Sequence, residues 1–129
     1  MSNQISELFM KALQQTEQTG DVSQLVEMFA DDAEISNLSL KEPMRGKEGA
    51  REFWQNYLHQ FDRIQSEFTE VAEIEDKAFL EWKAQGTLSG GKPISYEGVT
   101  ILKIEQERIR RFYSYYDSAA FIQVHSQAK

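Results

Sequence analysis

The chain of 129 residues contains no cysteine, which excludes disulfides, thiolate metal sites and cysteine nucleophiles. That lack also accords with a reducing compartment. Histidine is scarce: His59 and His125 stand alone, with no partner at ligand or triad spacing, so the pattern offers neither a metal site nor a nucleophilic triad. No apolar run approaches the ~20 residues a membrane span needs. Met1–Met10 lacks the basic start and apolar stretch of a signal peptide. Basic residues are outnumbered, 14 against 21 acidic ones, and the net charge of −7 works against phosphate backbones and anionic membranes. The one dense basic run, Arg108–Arg111, is broken by Ile109 and reads as strand. Gly90-Gly91-Lys92 lacks the flanks of a phosphate loop and reads as a hairpin turn. The expectation is a cytoplasmic protein with no cofactor, no metal, no nucleic acid partner and no membrane partner.

What is present fits one domain over residues 1–129, with 40% apolar and 27% charged residues. A chain of this size buries roughly two-thirds of its unfolded surface, enough for a core without staples. Ile5, Leu8, Phe9, Ala12 and Leu13 recur with helical period and predict a helix over Ser2–Gln18, capped by Ser2 or Asn3 and closed by Gly20. Asp21, with Gln24 three residues on, is a capping-box start for a second short helix that buries Val22, Leu25, Val26, Met28 and Phe29. A short strand follows over Ala33–Asn37, then a loop over Leu38–Gly46 containing Pro43. Ala50, Phe53, Trp54, Tyr57, Leu58 and Phe61 predict a third helix over Lys47–Phe61. The remainder reads as antiparallel strands: Ile64–Ile74, Ala78–Leu88, Tyr96–Glu105 and Arg108–Tyr116. The turns fall at Ser89-Gly90-Gly91-Lys92 and Gln106-Glu107. Helices first and strands afterwards predict an α+β fold with helices on one face of a curved sheet.

This order, with Met28-Phe29-Ala30-Asp31-Asp32-Ala33, Arg45-Gly46-Lys47-Glu48, Phe53-Trp54, Glu97-Gly98-Val99-Thr100 and Tyr115-Tyr116-Asp117, resembles the nuclear transport factor 2-like superfamily. Ketosteroid isomerases and SnoaL-like polyketide cyclase-like proteins belong to it. The resemblance implies a cone-shaped antiparallel sheet packed against three N-terminal helices. It also places Asn37 where a ketosteroid isomerase carries its general base, and an amide cannot take a proton from carbon. Leu13 and Thr100 match the tyrosine and aspartic acid of the oxyanion hole; Phe29 and Trp54 match its supporting tyrosines. Steroid isomerase chemistry is therefore not expected.

With Asn37 and Thr100 facing the cone interior, period-two alternation puts Ile35, Tyr96, Leu102, Phe112, Ser114 and Tyr116 there as well. Phe53, Tyr57, Thr100, Phe112, Ser114 and Tyr116 then form a candidate binding wall for a small apolar molecule bearing a carbonyl, with Asn37 and Asp117 as candidates for acid–base or hydrogen-bonding roles. Trp54 and Trp82 read as core. Asp117 has two readings: N-cap of a terminal helix, or counterpart of the late-strand aspartate that cyclase-like relatives use. The pocket residues likewise have two readings, ligand wall or plain core. The outward set Arg111, Tyr113, Tyr115, Val99 and Ile101 needs cover, and the resemblance implies a homodimer through that outer sheet face. Two functions stand side by side: an isomerase- or cyclase-type enzyme, and a non-catalytic binding module.

Overall fold

The computed structural model describes residues 2–121, with side chains from residue 4 onward. The side chains of Ser2 and Asn3, expected as caps, are not among those described, and His125 lies outside the described residues. Three helices, α1 (Ser2–Thr19), α2 (Ser23–Glu27) and α3 (Gly46–His59), pack on a single sheet. Its strands are β1 (Phe29–Asn37), β2 (Met44–Arg45), β3 (Phe61–Ile74), β4 (Lys77–Leu88), β5 (Pro93–Glu105) and β6 (Arg108–Tyr116). They lie in the order β2-β1-β6-β5-β4-β3, and a 3₁₀ turn, Ser118–Phe121, follows β6.

The stripe of α1 is buried at Ile5, Phe9, Ala12 and Leu13, but Leu8, expected in it, is 49% exposed. Gly20, at φ +81, ends the helix and returns its N–H to the Thr16 carbonyl at 2.8 Å. The capping box expected at α2 does not form. The helix starts after Val22, and Asp21 Oδ1 instead accepts the Ser23 N–H at 2.9 Å. α3 buries Gly49, Ala50, Phe53 and Trp54 and stops at His59. Phe61, expected on the helix, is the inward first residue of β3. Gly46 makes the turn into α3 at φ +72, where a Cβ would sit 2.9 Å from the Asp31 carbonyl oxygen.

Strands β3 to β6 form the expected antiparallel meander. The sheet is not antiparallel throughout: β1 runs parallel to β6, with Asn37 opposite Ser114. Register shifts at Phe68/Glu70 and Lys103/Ile104 mark irregularities of the kind that bend a sheet around its helices. No helix among the described residues is long and apolar enough to cross a membrane.

The register stacks the inward side chains in rows across the sheet. Ile35, Phe112, Leu102 and Ala78 form an apolar floor, all of them buried. Asn37, Ser114 and Thr100 form the next row. Tyr116, Gly98, Trp82 and Phe68 follow, then Tyr96, Ala84 and Ser66.

Candidate functional site

Above the apolar floor the helices and sheet enclose a cavity of about 60 Å³. Asn37, Phe53, Tyr57, Thr100, Phe112, Ser114 and Tyr116, all expected there from the sequence, line it. Ile35 and Leu102 point inward as alternation requires, yet lie in the floor rather than the lining. Trp54 and Trp82, read as core, are buried and also line the cavity. Asp117 does not line it. Its Oδ1 accepts the Ala119 N–H at 3.2 Å, as an N-cap of the 3₁₀ turn does.

The wall is mainly aromatic. Trp54 meets Phe53, Phe112 and Tyr57 edge-on, at centroid distances of 5.0, 5.3 and 5.5 Å. These orientations set ring edges against ring faces, the arrangement the ring quadrupoles favour. At the far end Phe121 of the 3₁₀ turn packs on Tyr96 at 4.9 Å and on Tyr116 at 6.0 Å.

Into this wall the second row inserts polar groups with spare donors. Trp82 Nε1–H donates to Thr100 Oγ1 at 2.9 Å, and Thr100 and Ser114 share a hydrogen bond at 2.7 Å. Two hydroxyls have two hydrogens, and the shared bond uses one. Whichever donates, one O–H remains without a protein acceptor among the described residues. Asn37 Oδ1 accepts the backbone N–H and hydroxyl of Ser39, each at 2.9 Å. A backbone N–H can only donate, so that atom is the oxygen, and the amide nitrogen is left without a partner among the described residues. The buried indole N–H of Trp54 also lacks one.

Gly98 makes the Trp82 contact possible. A Cβ there would lie 2.8 Å from Trp82 Cζ2 and 2.3 Å from the Tyr115 carbonyl oxygen. The absent side chain lets the indole lie across β5 and reach Thr100.

A second polar group, missed in the sequence, stands behind the Tyr96–Ser66 row. Glu17 of α1 accepts the Tyr57 hydroxyl at 2.7 Å, the Ser66 hydroxyl at 2.6 Å and the Ser66 N–H at 2.8 Å. Burial raises its carboxyl above the ordinary 4.5, against the pull of these donors. Burial likewise holds the Tyr57 hydroxyl well above its ordinary value, and the charges of Tyr96 and Glu17 add to it. Tyr96 rises for the same leading reason, with Tyr116 and Glu17 adding and its contact with Tyr57 working the other way. A signal was present: Glu17 lies at i+4 from Leu13 and i+8 from Phe9, on the buried stripe of α1. His59 is exposed, and no group of three or more potential metal ligands comes together among the described residues.

Helices and a curved sheet closing on an aromatic cavity define the nuclear transport factor 2-like α+β cone. The chain belongs to the SnoaL-like domain family, whose model matches residues 9–112. Its backbone is similar to that of an NTF2-like protein from Anabaena variabilis ATCC 29413, with a TM-score of 0.84 at 20% identity over 92% of this chain and 91% of that one. It is similar too to a protein of Jannaschia sp. CCS1 that carries the provisional name SnoaL-like polyketide cyclase (TM-score 0.81, 17% identity, 92% and 89% covered). A third, from Catenulispora acidiphila DSM 44928, has the ketosteroid isomerase-like fold and was solved with trimethylamine (TM-score 0.77, 18% identity, 87% of each chain). No curated protein matches the sequence.

Proposed function

We propose that this protein binds a small, largely apolar carbonyl compound in the cavity, with the carbonyl oxygen held at the Asn37–Ser114–Thr100 row. One observation carries this reading: the cavity wall holds an excess of donors. The Asn37 amide nitrogen, one hydroxyl of the Thr100–Ser114 pair and the Trp54 indole N–H have no acceptor among the described residues. The Trp54 indole N–H is buried, and a buried donor left unpaired costs about 1–3 kcal/mol. Asn37 is half-buried, with its amide nitrogen open to an incoming acceptor, so an acceptor on a ligand would satisfy both.

The cavity of about 60 Å³ is small for a ring, since a cavity of roughly 150 Å³ takes benzene. Entry of a ring therefore requires side chains of the wall to move apart. Isomerase- or cyclase-type acid–base chemistry is the catalytic form of this reading, in line with the name given to the Jannaschia relative. Asn37 itself favours the other form, binding without catalysis, because an amide is no base for a carbon acid.

The outer sheet face supports self-association as a homodimer. Phe79, Ile101 and Tyr113 adjoin across three strands, with Val99 and Tyr115 in the next row, and Tyr115 is 45% exposed.

The binding test is titration of acetophenone followed by tryptophan fluorescence, since Trp54 and Trp82 both line the cavity. Asn37→Leu is expected to weaken binding roughly tenfold, the worth of one hydrogen bond, while the fold persists. Equal affinity in the two proteins would refute the assignment.

A further inference from the structure

We propose that Glu17 fixes the direction of the Tyr57 hydroxyl, so that the cavity selects ligands with a hydroxyl or N–H donor at the end remote from their carbonyl. The proposal rests on the cavity reading above and specifies its ligand class. An ionised Glu17 is acceptor-only, and Tyr57 OH, Ser66 OH and Ser66 N–H all converge on it. The Tyr57 hydrogen is therefore committed to Glu17. Tyr57 and Ser66 line the cavity while Glu17 stands behind them, so what Tyr57 offers is an oxygen lone pair, for which a ligand donor competes with the neighbouring Tyr96 hydroxyl.

The donor-rich row and this acceptor sit at different levels of the cone. Tyr96, in the same row as Ser66, precedes Thr100 by four residues on β5, roughly 13 Å along the strand. Aromatic side chains, Trp82 and Phe68 among them, line the level between. Acceptor, ring and donor in line describe a hydroxyaryl ketone.

Glu17 is thus a positioning residue, acting through Tyr57. The titratable groups facing it are Tyr57 from α3 and Tyr96 from β5, and Arg63 of β3 shares the surface groove on its outer side. Protonation of Glu17 removes the need for Tyr57 to donate, so the selectivity is expected to fade as pH falls through a midpoint above the ordinary 4.5.

The experiment compares 4-hydroxyacetophenone with 4-methylacetophenone, which matches it in size and lacks the donor. Calorimetric titration of the wild-type protein at neutral pH should give roughly tenfold or greater preference for the hydroxyl compound. Glu17→Gln should bring the two affinities close together with binding of the methyl compound retained. Tyr57→Phe should do the same without touching Glu17, and decides the matter where Glu17→Gln fails to fold. Equal binding by the wild type, or a preference that survives both substitutions, overturns the role of Glu17 and leaves the cavity reading intact. Binding of neither probe overturns both.

Discussion

Gly98 and Asn37 do their work by what they lack. At Gly98 the missing Cβ lets Trp82 reach Thr100, so Gly98→Ala should destabilise by about 1–3 kcal/mol in chemical denaturation through overpacking against Tyr115 and Trp82. An unchanged midpoint would show that the indole is not held there. At Asn37 the missing carboxylate removes a carbon base but leaves a donor. Asn37 was legible in the sequence once the resemblance had set the strand register, because alternation then carries Asn37, Thr100 and Ser114 to one face. The role of Gly98 was not, because it depends on where the Trp82 ring lies. Glu17 was not legible in that way. A carboxylate on a helix reads as solvent-facing by default, and only its place on the buried stripe with Leu13 and Phe9 marks it as something else. The donor excess was invisible too, because it depends on which atoms Ser39 and Trp82 occupy.

Among the elements, the helices announced themselves through period and the meander through alternation and turns. Several features escaped, among them β2, which lies in the loop expected over Leu38–Gly46, and the start of β1 at Phe29 rather than Ala33. The end of α3 moved back from Phe61 because Phe61 is apolar in either reading, and periodicity cannot tell the last helical turn from the first strand residue. The parallel β1–β6 pair escaped because strand direction in a sheet is set by the path of the chain, not by side-chain pattern. The β5–β6 turn was placed correctly at Gln106-Glu107, though its strain was hidden. Both residues take positive φ, 52 and 62, which costs non-glycine residues roughly 1–2 kcal/mol each. Replacing the pair by Asn-Gly, the sequence this turn prefers, should raise stability by about 1 kcal/mol in thermal or urea melts. A loss of stability would mean that the side chains make contacts worth more than the strain.

For the whole molecule, the outer sheet face carries an apolar patch, which the homodimer proposal covers with a second copy. A carboxylate within it, Tyr115→Glu, should shift sedimentation equilibrium from dimer toward monomer. A monomer in the parent protein would remove the homodimer proposal. The interior carries the central claim, that the cavity's unpaired donors meet a carbonyl oxygen. Its most direct test is the infrared carbonyl stretch of ¹³C-labelled acetophenone bound to the protein. Hydrogen bonding weakens the C=O bond, so the band should lie below its position in an apolar solvent and move back toward that position in Asn37→Leu. A band at the apolar-solvent position in the wild-type complex would contradict the account.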